Sequence, residues 1–178
     1  MFQESSDVLV TAESLRESNG VSLTSGSSDA QVVAESFVRW YYKLINSIYQ
    51  TTTPEWGAQH FWKDATLSLY AEKPGETVED SVSGSAAVSE RLLGIFLGLQ
   101  VVFSPNIDGD GVKAEMNRHG LLLVRNAGTL HRSNAIVGLY EQVFGLVRDP
   151  CSLNNWKIKD TKLRIRIVLA DPSAVTYG

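Results

Sequence analysis

Three stretches in the second half of the chain have the look of β-strands and yet are apolar at both parities. They are Leu121-Leu122-Leu123-Val124, Ile136-Val137-Gly138-Leu139-Tyr140 and Val143-Phe144-Gly145-Leu146-Val147. Successive side chains of a strand point to opposite faces of its sheet. A sheet with one face on a core and the other in water therefore alternates apolar with polar. These stretches do not, so both faces of their sheet call for cover. The helices encoded in the first half can cover one face. Another protein chain is the simplest cover for the second.

The rest of the 178-residue chain supplies those helices and the remaining strands. Residues 1–27 are rich in Ser, Glu, Asp and Gly, with apolar residues scattered out of period, and read as a flexible tail. Residues 7–10 offer an alternative, a short docking segment. Ser28 or Asp29 is suited to cap a helix. Val33, Ala34, Phe37, Tyr41, Leu44, Ile45 and Ile48 then recur at helical spacing. The helix is expected to end near Tyr49, stopped by the run at 51–54. Pro54 can open a short second helix reaching Phe61 and Trp62. Residues 65–71 alternate as a strand, 78–83 as a weaker one, and 84–97 read as a third helix. A strand at 99–104, a turn-rich loop at 106–111 and long strands near 118–131, 135–148 and 156–169 complete the order. Residues 28–170 thus form one α+β domain, three helices packed on one face of a curved antiparallel sheet, with 171–178 as a second tail.

Parity sorts the two faces. Tyr140, Gln142, Phe144 and Leu146 share one, assigned to the core; Val137, Leu139, Glu141 and Val143 share the other. In the last strand Leu163, Ile165, Ile167 and Leu169 alternate with Lys162, Arg164 and Arg166. Trp156 and Ile158 have the opposite parity to Leu163, which requires a bulge between them. The outer face then carries Leu123, Arg125, Leu139, Glu141, Val143, Lys162, Arg164 and Arg166, apolar ground with isolated charges. Such a mixture fits a specific interface, where charges set register and partner choice. The alternative is a solvated sheet with cross-strand ion pairs, Glu141 with Arg125 or Arg164.

Composition narrows the function classes. A formal net charge of −4 disfavours non-specific nucleic-acid binding by the whole chain. The cluster Lys157, Lys159, Lys162, Arg164, Arg166 lacks the interleaved aromatics of a single-strand platform, so RNA contact is expected at most indirectly or through a local basic patch. One cysteine, Cys151, leaves no intramolecular disulfide and fits a reducing compartment. No signal-peptide pattern and no run of about 18 apolar residues is evident, so no membrane is expected. Three scattered His and one Cys match no metal spacing, and Asp108-Gly109-Asp110-Gly111 reads as a turn rather than a calcium loop. No metal and no cofactor are expected. Tyr41, His60, Asp64, His119 and His131 are the side chains that acid–base chemistry would draw on, and their spacing forms no recognisable constellation.

Several short segments, in order, resemble the nuclear transport factor 2-like family across residues 30–169. Phe37-Val38 with Tyr41-Tyr42 is similar to the family's opening helix motif. Phe61 to Tyr70 is similar to its aromatic-plus-strand segment, and Val82-Ser83-Gly84 with the following helix to its strand, glycine and helix. Gly128-Thr129-Leu130 leading into Tyr140-Glu141-Gln142-Val143-Phe144-Gly145-Leu146 is similar to its Gly-x-Leu and aromatic-x-Gln-x-Phe-x-Leu strand. Trp156-Lys157-Ile158 and Leu163-Arg164 are similar to its closing segments.

The resemblance implies a cone in which three helices pack on a strongly bent antiparallel sheet. The Ran-carrying branch uses acidic residues after Gly-x-Leu. His131-Arg132-Ser133-Asn134-Ala135 has none there, and Asp160-Thr161 replaces the family's late Asn-Asp. The small subunit of the general messenger-RNA export receptor is the better match. That resemblance implies a non-enzymatic subunit that heterodimerises through its sheet face with the similar domain of a large export subunit. It implies an ion pair from Arg164 across the interface, possible nucleoporin-repeat contacts, and shuttling between nucleus, nuclear pore and cytoplasm. A homodimeric carrier or scaffold, and a small-molecule enzyme of the same fold, stay open as alternatives.

Overall fold

The computed structural model describes residues 25–50 and 55–168. Its elements are helix α1 (Ser25–Asn46), a 3-10 turn (Ala58–His60), strands β1 (Phe61–Lys73) and β2 (Glu76–Ser83), and helix α2 (Ser85–Leu99). Then come β3 (Val102–Pro105), a second 3-10 turn (Gly109–Gly111), β4 (Val112–Met116), β5 (Leu122–Arg132), β6 (Ala135–Asp149) and β7 (Ser152–Ile167). The docking segment expected at 7–10, the helix stop at 51–54, Leu169 and the tail at 171–178 lie outside the described residues.

The seven strands form one sheet in the order β2-β1-β7-β6-β5-β3, with β4 pairing with β5 beside β3. All pairs are antiparallel except β1 with β7. The expected change of phase in the last strand is present. Gly145 lies opposite Asp160 and Leu146 opposite Ile158, so Lys159 is the extra residue. Trp156 and Ile158 are buried before it, Leu163 and Ile165 after it.

Three expectations need correction. Among the described residues there are two α-helices, not three. The segment before Phe61 makes only a 3-10 turn, because Gly57 is fully extended (φ 179°, ψ −177°) and Phe61 already pairs with Ile158. The sheet is not strongly bent. Its irregularities are short register shifts, such as those between Phe61 and Thr66 and between Gly145 and Leu146, which kink pairing locally. The long strand expected from 118 begins only at Leu122, and β4 (Val112–Met116), which was not expected, precedes it. Asn117 accepts the amides of His119 and Leu121 and Gly120 adopts φ +82°, a turn that separates β4 from β5. Helix α1 also opens at Ser25, ahead of the expected cap.

The core lies between the helices and the inner face of the sheet. Phe37 and Tyr41 of α1 meet Phe144 of β6 edge-on at 4.9 and 4.8 Å. Tyr42 packs on Tyr140 at 5.1 Å, and Phe103 joins at 5.0 Å from Tyr140. Such offset aromatic pairs add about 0.5–1.5 kcal/mol each beyond the area they bury. Tyr140, Gln142, Phe144 and Leu146 are all buried, as their shared parity requires. The polar groups between α1 and β6 are mutually satisfied. The Tyr42 hydroxyl donates to Gln142 Oε1 (2.9 Å), and Gln142 Nε2 donates to Thr161 Oγ1 (3.0 Å), which in turn donates to the Val143 carbonyl (3.0 Å). The Tyr140 hydroxyl donates to Asn126 Oδ1 (2.9 Å). Burial raises the pKa of Tyr41, Tyr42 and Tyr140, so all three stay neutral. Asn46 clasps α1 to β3, donating to and accepting from the Phe103 backbone at 2.8 and 2.9 Å.

Replacing Gln142 by Leu leaves the Tyr42 hydroxyl without its acceptor in a closed interior. Urea melts should show a loss of about 1–3 kcal/mol. A loss below about 0.5 kcal/mol would mean that the hydroxyl finds water and the interior is not closed.

Candidate protein-binding face

The pairing registers set out the sheet face that the helices leave uncovered. One row across it reads Glu79, Tyr70, Arg164, Glu141, Ala127 from β2 to β5. The next reads Ser81, Ser68, Lys162, Val143, Arg125, Lys113, ending on β4. A third reads Thr77, Glu72, Arg166, Leu139, Thr129, Ser104, ending on β3. Seven of the eight residues expected on the outer face lie in these rows, and Leu123, two residues from Arg125 on β5, shares their face. Arg125, Leu139, Glu141, Lys162, Arg164 and Arg166 are exposed, and Leu123 and Val143 are half-buried.

The cross-strand ion pairs of the solvated alternative do not form. Glu141 lies opposite Arg164 in register, but the Arg164 guanidinium instead lies 5.1 Å from the centroid of the Tyr70 ring. Among the described residues no carboxylate comes within ion-pair distance of Arg125, Lys162 or Arg164. Arg166 makes a long contact with Glu72, 3.8 Å. Arg125 and Lys113 lie directly opposite each other, a like-charge pair that is unfavourable unless an anion joins it. On this face Ala127 and Gly128 leave a shallow depression of about 400 Å³ rimmed by Tyr70, Leu139, Glu141 and Arg164.

One end of the face is apolar, and parity reading missed most of it. Val102 and Ile136 both lie opposite His131, from either side, and are 54% and 50% exposed. Leu139 (49%) lies close by on β6, and Val168 (47%) donates its amide to Val137. Val137, assigned to this face by alternation, is instead buried. Leu130 pairs with Gly138 and His131 with Ile136, so Val137 is a bulge residue and its side chain turns inward. The apolar run at 136–139 was the only signal; a bulge within it cannot be located from parity.

The acid–base candidates are not brought together. Tyr41 is sealed in the core beside Gln142, at 3.3 Å. Asp64 pairs with Lys159 at 2.7 Å on the surface, which holds its carboxyl below the usual range. His119 is exposed in the β4–β5 turn, and His131 bonds to Thr129 at 2.7 Å on the outer face. His60 packs edge-on against Trp40 at 5.0 Å, and its Nε2 donates to the Glu55 carbonyl at 2.7 Å. Among the described residues no group of three His, Cys, Asp or Glu is placed to hold a metal, and no helix is long and apolar enough to cross a membrane.

Residues 31–174 match the family described as DUF4518 C-terminal domain. The mouse and rat proteins named uncharacterized protein C3orf38 homolog are each 41% identical over 140 residues, 77% of this chain. The chain spans 40% of the length of each of these relatives. Among solved structures, the yeast UBP3-associated protein BRE5 matches with a TM-score of 0.54 at 17% identity, covering 82% of this chain and 98% of that one. Nuclear transport factor 2 from Cryptosporidium parvum matches at 0.52 and 17%, covering 74% and 90%. The Candida albicans Mtr2–Mex67 M domain complex matches at 0.50 and 10%, covering 80% and 97%. At these identities the likeness shows the fold, which is nuclear transport factor 2-like.

His60 carries a pH consequence. Burial lowers its pKa from the ordinary 6.5. As pH falls through about 6.5 the unfolded chain takes up a proton before the folded one, so stability is kept above that pH and lost below it. Urea melts at pH 7.5 and 5.5 should show a larger loss for the parent than for His60→Gln. Equal losses would mean that His60 titrates as freely in the fold as out of it.

Proposed function

The chain belongs to the DUF4518 C-terminal domain family, and on that premise we propose that it is a non-enzymatic binding domain. Its outer sheet face pairs with a second protein domain. The observation that carries this reading is the face itself, with exposed Val102, Ile136 and Leu139 at one end and Arg125, Lys162 and Arg164 without a carboxylate partner among the described residues. Apolar side chains at about half exposure, grouped at the end of a charged face, are what an interface core and its rim look like before assembly. The interior supports the same reading. It is filled by Tyr41, Tyr42, Phe144 and a satisfied Gln142, and among the described residues no Asp or His is fully buried in it.

A heterologous partner of like fold is the form proposed. Mtr2, in the solved complex of this fold, is bound to the Mex67 M domain. The finer proposal follows from the sequence resemblance: a subunit of a nuclear messenger-RNA export receptor, shuttling between nucleus and cytoplasm. Its first partner to try is the matching domain of a large export subunit.

Light scattering of the purified chain, alone and mixed with that domain, tests the proposal. A stable one-to-one complex is expected. Arg164→Glu should weaken it by about 2–5 kcal/mol, the usual loss when one member of a desolvated charge pair is removed. The same substitution should cost folding at most about 1 kcal/mol, because the exposed position loses only the Tyr70 ring contact and sets a like charge opposite Glu141. A homodimer that ignores the added domain would replace the heterologous partner by a second copy. Unaltered pairing of the Arg164→Glu chain would remove the outer face from the interface.

A further inference from the structure

The apolar end of the outer face has a titratable side chain at its centre. His131 of β5 lies directly opposite Val102 of β3 on one side and Ile136 of β6 on the other. Both of these apolar neighbours are exposed, while His131 between them is half-buried. Two residues back along β5, Thr129 lies opposite Leu139, and its Oγ1 is 2.7 Å from His131 Nε2.

The charged groups around this ring are cations or stand well away. On β5 itself Arg132 follows, and its guanidinium donates to the Leu99 carbonyl at the end of α2, 2.7 Å away. Strand β3 carries no charged residue. On β6 the first charge after Ile136 is Glu141. It lies opposite Ala127, four residues before His131, or about 13 Å along the strand. On β7, Arg166 lies opposite Leu139 and contacts Glu72 of β1 at 3.8 Å. Glu72 is itself three strands from β5, about 14 Å across the sheet. Among the described residues no carboxylate stands ready to stabilise a protonated His131.

Hydrogen bonding favours the neutral ring in the same way. A neutral imidazole has one N–H and an imidazolium two. Thr129 Oγ1 can accept the Nε2 proton, which leaves Nδ1 bare and in need of no acceptor. A protonated ring carries a second N–H at Nδ1, and among the described residues no side chain is bonded there. In the free chain water meets that N–H. Under an apolar cover both the N–H and the charge would be sealed off, which opposes binding.

Resting on the reading of the outer face as an interface, we propose that the partner meets this end with an apolar surface that brings no carboxylate to His131. The face then pairs while the imidazole is neutral and releases when it takes a proton. Val102, Ile136 and Leu139 are the ground such a surface covers, and His131 is the one titratable group among them.

The test takes the chain in its native assembly from cell extract at pH 7.5 and at pH 5.5. Side-chain footprinting on serial dilution reads the shielding of Val102, Ile136 and Leu139. Across that step an imidazole goes from mostly neutral to mostly protonated. The concentration at which the parent loses its shielding should therefore rise about tenfold. His131→Gln, which takes up no proton, should lose its shielding at the same concentration at both pH values. His131→Leu gives the same reading should the glutamine variant not fold. His60 is present in every chain, so its titration makes no difference between parent and variants. Equal shielding of the parent at both pH values, or an equal rise in parent and variants, would overturn the proposal and leave the interface in place. A parent unshielded even at pH 7.5 would overturn the interface reading and this inference with it.

Discussion

The contact between α1 and the middle of β6 governs the rest of the structure. Phe37, Tyr41 and Tyr42 come from one helical face, and Tyr140, Gln142 and Phe144 from one strand face. Their rings meet edge-on, and the one amide among them, Gln142, bonds to Tyr42 and Thr161. Because β6 lies inside the sheet, between β7 and β5, fixing it fixes which face of every neighbouring strand is inward. A slip of one residue would bury Glu141 and expose Phe144. The buried network makes that slip costly in polar as well as apolar terms.

Closure of the interior bears on the proposed function. A fold of this kind with an open cone could hold a substrate against inward acids and bases. Here three neutral tyrosines and a satisfied amide fill the space between α1 and β6, and the proposed recognition lies on a surface outside it. The outer sheet face has the mixed apolar and charged composition of a protein interface. It is built on paired strands, which keep its side chains positioned without much further ordering on binding.

Much of this was legible because period-two patterning reports on faces directly. The assignment of Tyr140, Gln142 and Phe144 inward, the eight outer-face residues and the bulge before Leu163 all follow from parity within stretches that alternate clearly on either side of each register shift. What stayed hidden lies where parity breaks or where side chains bond to backbone. Val137 turns inward at a bulge inside an apolar run, where either phase reads equally well. Strand β4 does alternate, Val112, Ala114, Met116, but the turn at Asn117 that separates it from β5 depends on a side-chain cap. The expected second helix gave way to a strand because Phe61 pairs with Ile158, a partner far along the chain. The clasp of Asn46 on Phe103 is likewise a tertiary fact with no local trace.

The central claim is that the outer face is covered by another protein. Its most direct test is side-chain footprinting of the chain in its native assembly from cell extract, compared with the purified chain. The account predicts that Val102, Ile136 and Leu139 react readily in the purified chain and are shielded in the assembly, while exposed Leu97 on α2 reacts alike in both. Equal labelling of the three in both preparations would contradict it.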